Sequence, residues 1–227
     1  MSTQSTPTPR QILCVGRNYA AHAAELGNAI PAGGGGPLLF WKPVGCLTSG
    51  RCHLPTWSEG ETEVHYEGEI VLVLGRDLGP GTAPLPDDPW EVVSGVAAGL
   101  DLSDRTLQKL EPQWVRAKGF ADAGVLGPLA PRPADPTAIR VRTWKNGELV
   151  QEGTSDLLLF PFRGLLRYVH GFLRLSAGDV IYTGTPAGVG PFQPGDQVRV
   201  AIDAEGCASE LSATCAAGPS VAPFPHE

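Results

Sequence analysis

Residues 64–75, VHYEGEIVLVLG, decide how this chain is read. β-branched and aromatic residues, a five-residue apolar run and a closing glycine predict a β-strand. Side chains two apart on a strand share a face. Glu67 and Glu69 therefore point the same way, followed by Val71 and Val73, while Ile70, Leu72 and Leu74 line the other face. A strand apolar on both faces is buried on both. Two carboxylates at its mouth repel each other unless a cation lies between them. A hard divalent ion such as Mg2+, Mn2+ or Ca2+ would satisfy both. The competing reading is a solvated first turn in which both acids are simply wet.

The rest of the chain supports a turn-rich, mainly β domain. Its 29 glycines and 22 prolines among 227 residues are spread along the sequence and disfavour long helices. Strands are predicted at 12–16, 37–43 (PLLFWKP, a buried strand holding one lysine), 139–145, 148–151, 179–183, 197–202 and 208–214. Asn146-Gly147 is a hairpin turn between the third and fourth of these. Helical spacing appears at 19–26 (YAAHAAEL, stopped by Gly27-Asn28), 104–110 and 157–169, and 90–101 reads as a helix running into a strand. The GGGG at 33–36 is a flexible joint. The organisation expected is a single domain over 11–216, with flexible tails at 1–10 and 217–227.

Composition excludes several classes of function. The net charge of −7 and the lack of a basic cluster argue against nucleic acid or an anionic membrane as partner. No apolar stretch approaches the ~20 residues of a membrane span, and the start of the chain has no signal-peptide core. Five cysteines make no CxxC pair, so a zinc or haem motif is unsupported and a reducing cytoplasm is the compartment expected.

Further candidates for chemistry are Asp101, at the head of DLSDRTLQ, and Arg105 with Gln108, whose spacing puts them on one helical face where they could grip a carboxylate. The local alternative makes Asp101 a helix cap and Arg105 a surface ion-pair partner. His22 and Glu25 are likewise three apart, the minimal general-base pair or an incidental pair on a wet helix face. Lys118 sits in WVRAKGF, and TGTPAGVGP at 183–191 could turn backbone N–H groups toward an anion, although it is not a P-loop. His53, His65 and His170 have no ligand-like spacing and read as structural.

Taken in order, these pieces are more specific than any one alone. ILCVGRNYAAHAAELG, LLFWKP, VHYEGEIVLVLG, GLDLSDRTLQ, AKGF, KNGELVQEG and GDVIYTGTPAGVGP span roughly residues 11–205. Together they resemble the fumarylacetoacetate hydrolase family, in particular its short single-domain members acting on acylpyruvates and related 2-oxo acids. The resemblance implies an α+β, mainly β fold, a mixed β-sheet roll with short helices, in a protein that forms homodimers. It implies Mg2+ or Mn2+ on Glu67, Glu69 and Asp101, a water-activating dyad of His22 and Glu25, and a catalytic Lys118. Arg105, Gln108 and Thr185 match substrate-holding positions, with Arg17 and Tyr19 as neighbours. The reaction first expected is C–C hydrolysis of an acylpyruvate through a metal-stabilised enolate. Isomerisation of a hydroxydienedioate or decarboxylation of oxaloacetate would share that enolate, and a catalytically silent metal-binding scaffold is the competing class.

Overall fold

The run at 64–75 forms two strands that part at Glu67. The computed structural model describes residues 5–25, 35–57 and 62–222. Its strands are, in chain order, β1 (Ile12–Gly16), β2 (Leu38–Lys42), β3 (Leu47–Thr48), β4 (Arg51–Trp57), β5 (Val64–Tyr66), β6 (Gly68–Leu74), β7 (Val93–Asp101) and β8 (Ser103–Asp104). There follow β9 (Gly124–Leu126), β10 (Ala130–Pro131), β11 (Arg140–Lys145), β12 (Glu148–Thr154), β13 (Val180–Tyr182), β14 (Gly190–Pro191), β15 (Gln197–Ala204) and β16 (Cys207–Val221). Four short α-helices accompany them: α1 (Ala20–Glu25), α2 (Arg105–Leu110), α3 (Val115–Gly119) and α4 (Phe162–His170).

An eight-stranded mixed sheet runs β2-β1-β13-β6-β7-β9-β3, with β10 also paired to β7. Every residue of β6 is buried, as its two apolar faces require, because β13 and β7 flank it and protein covers both sides. A second sheet, β12-β11-β15-β16-β4, packs its inner face against β6 and β7. Its strands alternate: Val198, Val200 and Ile202 of β15 and Leu211 and Ala213 of β16 are buried with Leu72 and Leu100 in one core. The third sheet, β14-β5-β8, lies beside the break at Glu67. This is the α+β, mainly β roll expected.

Local sequence explains where the observed elements depart from those expected. Asn146 and Gly147 both have positive φ, 51° and 87°, which a two-residue hairpin turn matched to strand twist requires. At 90–101 only a 3-10 turn, Pro89–Val92, precedes β7, and the Asp88 carboxylate caps it by accepting from the Trp90 N–H at 3.0 Å. The helix expected from 157 begins at Phe162, because Pro161 has no N–H to donate and disfavours helix in the residue before it. Helix α3 carries no capping signal and is an addition.

The expected C-terminal tail needs correction. Residues 217–221 continue β16 along β4 in parallel, with Ala217 opposite Leu54 and Val221 opposite Trp57. The register shifts between Ala217 and Ser220, so Gly218 and Pro219 are absorbed at an irregularity. The N-terminal segment is also tied down from residue 5: Ser5 O accepts from Leu129 N, and the Asp179 carboxylate accepts from the Arg10 and Gln11 N–H groups. The end of the helix at Leu26, its Gly27-Asn28 stop, the first half of the GGGG joint and both chain ends (1–4 and 223–227) lie outside the described residues.

Gly99 marks the tightest point between β6 and β7. A Cβ there would lie 2.4 Å from Val71 Cγ2 and 2.6 Å from Tyr182 Cε1, and Tyr182 is pinned by its hydroxyl to Val125 O at 2.9 Å. Gly99→Ala is expected to lower the unfolding free energy by about 2 kcal/mol, the usual cost of overpacking a filled core. Urea unfolding measures it.

Candidate functional site

The register of β6 against β7 places three acids together. Gly68 lies opposite Leu100 and Glu69 opposite Gly99, while Asp101 N donates to Glu67 O at 2.9 Å. Glu67, Glu69 and Asp101 are 4%, 2% and 0% exposed, so the wet-turn reading does not hold. Each can offer one oxygen within 4.8 Å of the others, about the span of two metal–oxygen bonds of ~2.1–2.5 Å. Three buried carboxylates are a hard-oxygen donor set that fits a divalent cation such as Mg2+ or Mn2+. Asp101 is not a helix cap; Asp104 takes that place, accepting from Leu107 N at 3.0 Å.

Three cations surround this triad. Lys118 Nζ, from α3, lies 2.7 Å from both Glu67 Oε2 and Asp101 Oδ2. Arg105 Nη2 lies 2.6 Å from Glu67 Oε1, and its Nη1 donates to Gln108 Oε1 at 2.8 Å, so these two do share a helical face. Lys42 Nζ, from β2, is 2.7 Å from Asp101 Oδ1 and also donates to the Lys118 carbonyl. Burial pushes the Glu67 carboxyl up, but Lys118 and Arg105 outweigh it and hold that group well below the usual carboxylate range. Glu69 differs. Among the described residues no lysine or arginine pairs with it, and its Oε2 accepts only the Gly184 N–H, at 2.7 Å. Burial, with the charges of Asp101 and Glu67, pushes its carboxyl well up. A cation beside Glu69 would give that carboxylate the direct ionic partner that no described side chain supplies.

The opposite wall comes from the turn after β1. Arg17 has φ of 56°, a left-handed conformation that costs a non-glycine residue about 1 kcal/mol. Asn18 holds the turn: its Nδ2 donates to Thr183 O at 2.8 Å, and its Oδ1 accepts from Phe160 N at 2.7 Å. Helix α1 then brings in His22, whose Nδ1 is 3.4 Å from Glu25 Oε2. Burial lowers the His22 pKa below 6.5, although Glu67 opposes it, so the ring is neutral at neutral pH.

The glycine-rich loop does bind anions, and they are the protein's own. Gly184 N holds Glu69, and Gly188 N donates to the Glu25 carboxylate at 3.0 Å. One loop thus orients an acid of the triad and the acid behind His22.

These groups line a cavity of about 370 Å³. His22, Glu67, Glu69, Asp101 and Lys118 reach it, as do Arg17, Arg105, Gln108 and Thr185. Glu25 contributes through His22. Tyr19 does not line the cavity: it is 3% exposed, and among the described residues its buried hydroxyl has no hydrogen-bond partner. The Thr185 hydroxyl is engaged on both sides, donating to Gly68 O and accepting from Gln151 Nε2. Sequence reasoning missed Lys42, Lys109, Phe40 and Trp114. Lys42 left a readable signal, since a lysine in an apolar strand needs a buried counter-ion. Of the other histidines, His53 bonds to Asp122, His65 to Glu63 and His170 to Gly79 N, while His226 lies outside the described residues.

A β-roll that closes a polar cavity over buried acids, with a neutral histidine and a charged lysine at its wall, defines a protein of the small-molecule enzyme class. The chain belongs to the fumarylacetoacetate hydrolase family: the family model for the fumarylacetoacetate (FAA) hydrolase C-terminal region matches residues 11–211. It is 35% identical over 200 residues to the oxaloacetate tautomerase YcgM of Escherichia coli, covering 85% of this chain and 88% of that protein. It is 31% identical over 233 residues to a mitochondrial oxaloacetate tautomerase of Saccharomyces cerevisiae, covering 88% and 89%. The fold matches the crystal structure of Pseudomonas aeruginosa fumarylpyruvate hydrolase with Mn2+ and pyruvate at a TM-score of 0.79 and 31% identity, covering 95% and 93%. Among the described residues no helix is long and apolar enough to cross a membrane.

Proposed function

We propose that this chain is a divalent-metal-dependent enzyme that interconverts the keto and enol forms of a 2-oxo dicarboxylate of the oxaloacetate type. The observation that carries this reading is a pair of uncommitted cations. Arg17 and Lys109 line the cavity and, among the described residues, neither is ion-paired, which suits a second carboxylate on the substrate. The oxaloacetate tautomerases of Escherichia coli and Saccharomyces cerevisiae among the relatives support the same reading. The acylpyruvate hydrolysis first expected from the motifs has support from the fumarylpyruvate hydrolase likeness.

In this reading Glu67, Glu69 and Asp101 hold the ion, which when bound supplies Lewis-acid polarisation of the substrate's 2-oxo group. Arg105 and Gln108 take the carboxylate next to that group, and Arg17 with Lys109 the distal one. His22 removes a proton from C3, and the imidazolium gives a proton to the 2-oxo oxygen, directly or through water, which completes the enol. Glu25, set on the Nδ1 side, leaves Nε2 as the accepting nitrogen and steadies the imidazolium that forms. Lys118 keeps its proton: burial disfavours the charge, but Asp101 and Glu67 more than reverse that. It thus serves as a fixed positive charge near the oxygen where negative charge develops. The same reading takes the enzyme as a cytosolic homodimer; sedimentation velocity giving a monomer would remove the second part.

Stopped-flow absorbance tests the activity. With Mn2+ or Mg2+, decay of the oxaloacetate enol band is expected to exceed the uncatalysed rate, to stop on adding EDTA, and to leave acetylpyruvate intact. Cleavage of acetylpyruvate with no effect on oxaloacetate would establish the hydrolase instead, and inertness toward both would favour a silent scaffold. Because burial lowers the His22 pKa, the base is already in its working form at pH 6.5. The acid limb of kcat/KM is expected below that pH, and a limb centred above 7 would contradict His22 as the base.

A further inference from the structure

Lys42 is the one charged residue of β2, and its side chain is fully buried. It touches the centre twice, at Asp101 Oδ1 and at the backbone carbonyl of Lys118. It thereby fixes one acid of the triad and the helix that carries the lysine beside it. It also completes a charge balance. Glu67, Glu69 and Asp101 carry three formal negative charges, and Lys42, Arg105 and Lys118 carry three positive ones, all six residues at most 4% exposed. Asp104, also buried, spends its carboxylate on capping α2 and on the Trp57 indole N–H, at 2.9 Å. A divalent ion entering a balanced set adds two positive charges where water cannot screen them, and uncompensated buried charge is strongly unfavourable. A ligand with two negative charges restores the balance.

We propose that Lys42 is a positioning residue of this centre which, by cancelling the charge of Asp101 while fixing its geometry, makes tight retention of the ion depend on a dianionic ligand. The proposal rests on the reading of Glu67, Glu69 and Asp101 as the metal ligands. Metal and substrate then bind as a pair, each strengthening the other by the same factor.

The test is a Mn2+ titration followed by the electron paramagnetic resonance signal of free Mn2+, with and without saturating oxalate, corrected for Mn2+–oxalate in solution. In the wild type, oxalate is expected to tighten Mn2+ binding at least tenfold. Lys42→Met removes one nearby positive charge and is expected to bind Mn2+ alone about tenfold more tightly than wild type, with the oxalate gain reduced by the same factor. Lys42→Arg, which keeps the charge, is expected to stay within threefold of the wild type, a rescue that a purely packing role would not give. A folded Lys42→Met that binds Mn2+ no more tightly than wild type overturns the proposal, as does a wild type with no oxalate gain. If Lys42→Met does not fold, Lys42→Gln, which keeps a donor for the Lys118 carbonyl, carries the same comparison. Glu69→Gln separates the two readings: if it binds Mn2+ like wild type, the ligand assignment fails, whereas loss of binding there with an unchanged Lys42→Met sinks the Lys42 proposal alone.

Discussion

Glu69→Gln is expected to abolish ion binding and activity while leaving the metal-free protein at least as stable as its parent. Glu69 is 2% exposed, and among the described residues it has no cationic partner, so its charge is a liability without an ion. The amide keeps an oxygen for the Gly184 N–H and removes the charge. Mn2+ affinity should fall by more than about 100-fold, since losing even an outer-sphere partner costs ~10–100-fold. Glu67→Gln should behave differently. It strips Lys118 and Arg105 of a shared buried partner, and breaking such a pair costs about 3–5 kcal/mol. The two acids also titrate in opposite senses. The stabilisation from Glu67, whose folded pKa is depressed, is complete above the ordinary carboxylate pKa and is lost as pH falls through the depressed one. Glu69, raised in the folded state, penalises the metal-free protein above its folded pKa and less as pH falls below it. Calorimetric melting of the two variants at neutral pH gives the comparison, and a marked loss of stability in Glu69→Gln would contradict the account.

His22→Ala is the second large effect. Removing a positioned general base typically costs about 10²–10⁴ in turnover, and His22 is the neutral histidine facing the triad across the cavity. Mn2+ affinity should change less than threefold, because the side chains that converge on the candidate ion site among the described residues are Glu67, Glu69 and Asp101. Glu25→Gln is expected to fall between wild type and His22→Ala. Its carboxylate works only through the imidazole at 3.4 Å, and the Gly188 N–H still holds the amide. An unchanged kcat in His22→Ala would remove the residue from the mechanism.

Much of this centre is legible in the chain because its chemistry and its strand pattern coincide. EGEIVLVL cannot be buried on both faces without bringing its acids inside, and DLSDRTLQ follows a strand that delivers Asp101 beside them. Lys42 was harder to read, since LLFWKP reads as a buried strand, whereas Leu38 and Trp41 are exposed and Lys42 alone of β2 is buried; the pairing of β1 with β2 turns it toward Asp101. Lys109 and Trp114 reach the cavity because α2 and α3 pack together, a contact no local spacing encodes. Pro161 announced a helix boundary, but the leucines before it mimicked a helical period. Gly218 and Pro219 suggested a loose tail, yet the end of β16, which runs past β15 and pairs in parallel with β4, accommodates them through a register shift. The glycine-rich loop was rightly read as an anion binder, though its anions proved to be Glu69 and Glu25.

The most direct test of the central claim is proton transfer itself. In D2O with Mn2+, NMR should show deuterium entering C3 of oxaloacetate faster than in the uncatalysed reaction. That gain should disappear with EDTA and in His22→Ala, and pyruvate should not accumulate above the blank. Exchange at the uncatalysed rate with the metal-loaded protein present would contradict the account.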